Sequence, residues 1–405
     1  MGAVAALDLG TGQACVVVGE VDERGVALAG VGTAPSRGLR KGVIVHVEST
    51  VTSIQKAIAE AETMAGCQIR RVVTSIGGAH LRGVTSHGVV AVRNGEVSGG
   101  DVRRVLDAAR AVALPADRQV LHVLPQEYLI DDQEGIKEPI GIAGVRLEAK
   151  VHIVTSQSAA THTLIKCCRQ AGLSVDDISL GSLAAADAVL TSEEKDLGVA
   201  LIDIGAGTTD IVLFHGGSVR YSATLPLGGG HVTNDIAAGL RTPTAEAEKI
   251  KQRYGRARAA GIDDHASIEV PSVGDRDARI LPHQVLCQII EPRVEEIFSL
   301  ISREIGRSGF EDGLASGVVL TGGTALLDGI ADVAEGIFRL PVRIGSPHHV
   351  TALEDLVASP GYAAAIGLIL AGGDHARPVR RMAPHPTTVL GRTRERVTEW
   401  LRDFF

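Results

Sequence analysis

At 405 residues the chain is long enough for two or more domains. Its formal net charge of −8 argues against a general nucleic-acid binder, and no nucleic-acid partner is expected. An apolar fraction of 45% with only 3% aromatic residues suits a layered α/β protein built from Ala, Val, Ile, Leu and Gly.

Val4-Ala5-Ala6-Leu7 reads as an apolar strand running into Asp8-Leu9-Gly10-Thr11-Gly12-Gln13, and a second apolar strand, Ala14 to Val18, follows at once. The tip of such a hairpin lets backbone come close to a ligand with N–H and hydroxyl donors pointing outward, which is a phosphate cradle. Asp8 ends the strand where a carboxylate can hold Mg²⁺ through water. It also breaks the apolar run too early for a signal peptide. Val26 to Val31 is a third strand, Val47 to Ala65 a helix with Val51, Ile54, Ile58 and Ala61 on one face, and Arg71 to Ile76 a strand closed by Gly77-Gly78. The order is β-β-β-α-β.

Residues 85–162 then interrupt the pattern and read as a small α+β insert. It holds a helix from Asp101 to Val112, a strand from Val120 to Leu124, turn-rich text through Gly135, and a strand from Val145 to Val154. Helices from Ala159 to Ala171 and from Leu180 to Leu190 return to the first domain. Leu197 opens the second half, where the hairpin recurs. Val199-Ala200-Leu201-Ile202 leads into Asp203-Ile204-Gly205-Ala206-Gly207-Thr208-Thr209-Asp210, and Ile211 to Phe214 follows. Gly205, Gly207, Thr208 and Thr209 supply the donors, and Asp203 takes the place of Asp8. After the strand from Gly217 to Leu225, Gly228-Gly229-Gly230 is either a loop or a third phosphate contact at a helix N-terminus.

Thr233 begins a helix, and Thr244, a plausible N-cap, begins another through Tyr254. There Glu246 and Lys249 share a face at i, i+3, as a surface ion pair or a ligand contact. Gln284 to Ile305 is helical, and Pro292 should kink or split it. Val318-Val319-Leu320 leads into a third glycine turn, Thr321-Gly322-Gly323-Thr324. Tyr362 to Ala371, the longest apolar run, is too short to span a bilayer.

Residues 373–391 carry three prolines and no apolar periodicity, and read as a flexible tether. In 392–405, Val397, Trp400, Leu401 and Phe404 recur at i, i+3, i+4 and i+7, with Phe405 beside them and four arginines close by. This is an amphipathic helix suited to an anionic membrane surface, unless it folds back on its own domain. The five cysteines show no C-x-x-C and no metal spacing, and read as buried thiols. No P-loop is present, so phosphate binding rests on the hairpins.

Two such hairpins followed by a T-G-G turn resemble the superfamily of actin, heat-shock chaperones and sugar kinases. There, two related RNase H-like α/β domains clamp ATP and Mg between them. More specific text, including Leu124-Pro125-Gln126-Glu127-Tyr128, Pro139-Ile140-Gly141, Ala245-Glu246-Ala247-Glu248-Lys249, Val270-Pro271-Ser272-Val273-Gly274 and Ile290-Glu291-Pro292-Arg293, resembles the bacterial cell-division family FtsA over residues 4–372 and the extreme C-terminus.

The resemblance implies an actin-like ATPase fold. Its subdomain 1A would be 1–84 with 163–197 and 350–372, and the inserted 1C would be 85–162. Subdomain 2A would be 198–230 with 300–349, and 2B would be 231–299. It implies nucleotide contacts at Gly10, Thr11, Gly12, Gln13, Gly205, Gly207, Thr208, Thr209, Gly229, Gly230, Glu246, Lys249, Gly322, Gly323 and Thr324, with Mg near Asp8 and Asp203. It implies slow ATP turnover, self-association into filaments, and a docking site around Arg293 and Glu296 for the C-terminal peptide of the tubulin-like protein FtsZ. Other division proteins would bind the insert, and the chain would sit on the cytoplasmic face of the inner membrane at the division site. The water-positioning residue stays open between Gln13 and Gln157. Two alternatives share the hairpins: a PilM-like pilus scaffold, and a small-molecule kinase, for which no separate general base is evident.

Overall fold

The computed structural model describes residues 4–375 apart from 23–24, 264, 273, 275–276 and 349. Its two halves are built on five strands in one shared order. In the first, Val4–Leu9 pairs antiparallel with Gln13–Asp22, which pairs antiparallel with Gly25–Pro35. On its other side Val4–Leu9 runs parallel to Arg71–Ile76, which runs parallel to Ser174–Leu180. In the second half, Val199–Ile204, Thr209–His215 and Ser218–Leu225 repeat the antiparallel meander, and Val318–Thr321 and Val342–Ile344 repeat the parallel pair. The central strands are covered on both faces, which is why they read as unbroken apolar runs. Leu201 and Ile202 point to opposite faces, and both are fully buried.

Two helices, Gly181–Val189 and Ala363–His375, join the sheets into one core with Ala6 and Val17 on one side and Leu201 and Val212 on the other. Small residues let them cross closely. A Cβ on Gly367 would lie 1.7 Å from the Ala184 carbonyl oxygen, so only glycine fits there. The long helix His283–Ser308 packs Phe298, Ile301 and Ile305 into the second half's own core.

The insert is a four-stranded antiparallel sheet, ordered Arg82–Ala91, Arg146–Gln157, Arg118–Ile130 and Gln133–Ile136, under the helix Gly99–Arg110. It has its own core around Val105, Ala109, Leu147 and Ile153. It also leans on the second half. Gln126 Nε2 donates to the Val219 carbonyl at 2.8 Å, and His152 Nε2 lies 2.8 Å from Ser222 Oγ.

The strand at Ser174–Leu180 is hidden in the sequence by Asp176 and Asp177, because it is a sheet edge with little buried surface. The strand expected at Val120 to Leu124 runs from Arg118 to Ile130, straight through Pro125. There the register against its neighbour slips, Val151 facing Pro125 and Lys150 facing Glu127, so Gln126 is the extra residue of a bulge that tolerates the proline. Pro292 does not split its helix, which continues through Ser308 on the strength of its buried face. Thr244 is the first helical residue rather than the cap, a position held by Pro243 without a side-chain bond. Cys67 is exposed, whereas Cys15, Cys167, Cys168 and Cys287 are buried. Among the described residues no helix is long and apolar enough to cross a membrane.

Candidate functional site

The two glycine hairpins touch at their tips. A Cβ on Gly207 would lie 2.7 Å from Thr11 Oγ1, and one on Gly12 would lie 3.0 Å from the Ala206 Cβ. Glycine is needed because the backbone of each tip packs directly against a side chain of the other half. The halves enclose a cleft of about 1500 Å³, more than the ~300–1,000 Å³ typical of a small-ligand pocket. Asp8, Gly10, Thr11, Gly12 and Gln13 line it from the first half. Asp203, Gly205, Gly207, Thr208, Gly322, Gly323 and Thr324 line it from the second. Residues more than 300 positions apart in sequence thus meet at one surface. Gly322 has φ +85, and a Cβ on it would lie 2.3 Å from Asp203 Oδ1. A Cβ on Gly323 would meet no atom within 4 Å, so a side chain there would enter the cleft without displacing protein.

Three carboxylates sit at the floor. Asp8 accepts a hydrogen bond from Ser75 Oγ at 2.6 Å, Asp203 and Asp210 face each other across the second hairpin, and Asp210 accepts from the Thr224 hydroxyl. Burial, then the charges of Asp210 and Asp8, push the Asp203 carboxyl up to about 8. Asp210 is raised to about 6 by burial, partly opposed by the Thr224 hydrogen bond, with a further push from Asp8. Burial raises Asp8 too, against the Ser75 bond. Such mutual repulsion is relieved by a cation. Among the described residues no three His, Cys, Asp or Glu side chains are grouped closely enough to hold a metal directly. A divalent ion kept at a distance by its own waters, the habit of Mg²⁺, would fit above three buried carboxyls of like charge. The sequence reading gives Asp210 no role. The signal it passes over is the pair of carboxylates bracketing the tip.

Other predicted residues have their donors engaged by the protein or lie outside the cleft. Thr209 is buried, its hydroxyl is engaged by the Leu227 carbonyl at 2.9 Å, and it does not line the cleft. The Gly229 and Gly230 N–H groups donate to the Gly205 and Ala206 carbonyls at 2.9 and 2.7 Å. They brace the second hairpin and have no N–H left for a ligand, although Gly230 still lines the cleft. Glu246 and Lys249 pair with each other at 2.8 Å on an exposed face outside the cleft. Glu248 and Lys251 of the same helix line it instead, paired at 2.8 Å, because the stripe facing the cleft runs through 244, 248 and 251. Tyr254, His283 and Leu326 also line it, and no motif marks them.

Arg293 is not free for a partner's carboxylate. Its Nε lies 2.5 Å from Asp235 Oδ2, and its guanidinium also bonds Glu296, tying the His283–Ser308 helix to Gly229–Leu240. Gln157 stands before the helix Ser158–Gln170 and does not line the cleft, whereas Gln13 does. Val397, Trp400, Leu401, Phe404, Phe405 and the tether from 376 onward lie outside the described residues.

Comparison with known proteins agrees with this architecture. The family model "Cell division protein FtsA" matches residues 200–367, and "SHS2 domain inserted in FTSA" matches 78–155. The chain is 52% identical over 370 residues to the cell division protein FtsA of Pseudomonas aeruginosa, covering 91% of this chain and 89% of that one. It is 40% identical over 411 residues to FtsA of Escherichia coli, covering 99% and 98%. Among solved structures it superposes on a PilM–PilN type IV pilus biogenesis complex at TM-score 0.67 and 20% identity, covering 91% of this chain and 98% of that one. It superposes on MreB5 of Spiroplasma citri bound to ADP at TM-score 0.54 and 14% identity, covering 91% and 95%. At those identities the structural likeness speaks for the actin-like fold, while the closer sequence relatives decide the family. The chain belongs to the FtsA family of bacterial cell-division proteins.

Proposed function

We propose that the chain binds Mg·ATP in the cleft between its halves, polymerises in that state, and tethers FtsZ filaments to the cytoplasmic face of the inner membrane at the division septum. One observation carries the nucleotide part. Two hairpin tips and three mutually repelling carboxylates converge on a single cleft that a glycine turn, Gly322-Gly323, leaves open. Bound Mg²⁺ would supply the positive charge that Asp8, Asp203 and Asp210 lack, and the N–H groups at the tips would hold phosphate oxygens. The structural neighbours whose descriptions mention ADP and AMPPNP support the same reading.

Membrane attachment rests on the apolar stripe Val397, Trp400, Leu401, Phe404 and Phe405, which carries the chain's single tryptophan and two of its six phenylalanines. One such helix binds reversibly, and a filament presents many together. The FtsZ peptide would dock near Arg293 and Glu296 by sharing or displacing the Asp235 contact, and other division proteins would use the insert. Family membership favours this reading over a pilus scaffold, and no residue of the cleft favours a kinase.

The test is equilibrium binding of a fluorescent ATP analogue to the full chain with and without Mg²⁺. Gly323→Asp should abolish binding while leaving the melting temperature of the free protein within a degree or so. Parent-like binding by that variant would remove the nucleotide from this cleft. Liposome co-sedimentation of the parent and of Trp400→Glu tests the membrane part.

A further inference from the structure

Leu39–Arg40 and Val43–Ile44 pair as a small antiparallel ribbon, with Lys41 and Gly42 at its tip. No motif marks this ribbon, yet it forms part of the cleft wall beside the first phosphate hairpin. The Gly42 N–H donates to Thr11 Oγ1 at 3.0 Å, so the ribbon is fastened to the tip of that hairpin. A Cβ on Gly42 would lie 2.5 Å from the Gly78 Cα, so backbone meets backbone there. Lys41 is held at φ +52, a left-handed conformation that a side chain other than glycine takes at some cost. The chain therefore keeps a lysine where glycine would sit more easily.

Charge says why. Five Lys or Arg side chains line the cleft. Lys251 pairs with Glu248, Arg256 pairs with Asp328, and Arg253 lies over the Tyr254 ring. The Arg40 and Lys41 side chains have no ion pair, hydrogen bond or ring contact among the described residues. Both are exposed to solvent. They are thus the unspent cations of a cleft whose floor is acidic. They sit on the first half, fastened to Thr11, while the open Gly323 turn, Tyr254 and Leu326 belong to the second. A nucleotide whose nucleoside lies along the second half would bring the far end of its phosphate chain to the hairpin tips and the ribbon beside them.

We propose that Lys41 recognises the terminal phosphate of a nucleoside triphosphate, so that the 39–44 ribbon distinguishes triphosphate from diphosphate. This rests on the nucleotide reading above and adds a residue that selects the bound state. A flexible ammonium is suited to a terminal phosphate, which it meets as a point charge.

The experiment measures the dissociation constants of ATP and ADP, each with Mg²⁺, for the full chain and four variants. Lys41→Gln should weaken ATP by about 10- to 100-fold, the range of a lost charge-assisted hydrogen bond, and change ADP by less than about threefold. Lys41→Gly, which relieves the backbone, should lose discrimination to the same extent. Lys41→Arg should keep most of it, and Arg40→Gln should leave it nearly intact. An ATP-to-ADP ratio in Lys41→Gln within twofold of the parent's overturns the proposal, and so does an equal loss for both nucleotides. Discrimination that follows Arg40 instead also overturns it. A parent chain that binds neither nucleotide removes the site itself, a result distinct from a parent that binds both and a variant that matches it.

Discussion

Asp203→Asn separates the two things this carboxylate does, because the change should stabilise the free protein while disabling its site. In the parent, Asp203 is buried beside Asp210 and Asp8 and is pushed from the ordinary 3.8 up to about 8. A group raised in the folded state contributes stability that is complete below the unfolded value and is lost as pH climbs through the folded one. The parent should therefore lose stability between about pH 4 and pH 8, and the amide should lose less, keeping only the share that Asp210 and Asp8 contribute. The full span corresponds to about 6 kcal/mol. Water in an open cleft screens part of it, leaving about 2–3 kcal/mol at pH 8. For a chain of this size that is a rise of about 2–4 °C in melting temperature. Differential scanning fluorimetry without nucleotide should show the variant above the parent at pH 8 and level with it near pH 4. Adding Mg·ATP should then raise the parent and leave the variant where it was, since binding to the folded state alone is what lifts a melting temperature. A variant that melts below the parent at pH 8, or a gap that does not shrink on acidification, would refute the account of the three carboxylates.

Other consequences follow from particular contacts. His80 and His152 are buried and held neutral, each lowered to about 4 by desolvation, His80 also by the nearby Arg118 and Arg82. Stability present above about pH 6.5 should thus be lost as pH falls through 4, by about 2–3 kcal/mol per histidine, and urea midpoints of His152→Leu should fall less over that interval than the parent's. Gly367→Val would drive a side chain into the Ala184 carbonyl. It should cost at least about 3 kcal/mol, read as a lost or strongly lowered thermal transition. Arg293→Glu would set three carboxylates together where an arginine now bridges Asp235 and Glu296. It should lower stability by about 1–2 kcal/mol, so FtsZ-peptide titrations should use Glu296→Gln, which leaves the Asp235 pair in place.

The duplicated fold is legible in the sequence because its central strands are buried on both faces. Val199 to Ile202 and Val318 to Leu320 are unbroken apolar runs for that reason, and glycine tips punctuate them. Ser174–Leu180 is not legible, since an edge strand buries too little to need an apolar pattern. Pro125 hides the continuation of its strand because a bulge, invisible in local text, removes the demand for a ladder hydrogen bond. Pro292 misleads in the opposite sense, through a helix whose buried face outweighs one missing bond.

The same distinction governs the site. Backbone-defined parts are legible because close approach demands glycine, and Gly12 and Gly207 in the two hairpins and Gly322 in the later turn announce themselves. Side-chain parts are not, because their roles depend on which way a helix turns or on which partner claims them first. Glu246 with Lys249 and Glu248 with Lys251 have one spacing and one chemistry, yet a rotation of two residues about the helix sends the first pair to solvent and the second to the cleft. Gly229 and Gly230 look like free donors until the carbonyls of Gly205 and Ala206 take their N–H groups. Lys41 is the reverse case, a charge with no motif around it. Its importance emerges only when Lys251, Arg253 and Arg256 are found to be engaged and the free cations of the cleft wall narrow to Lys41 and its neighbour Arg40. A functional residue of this kind is defined by what its neighbours have left undone, and one chain's linear text does not carry that information.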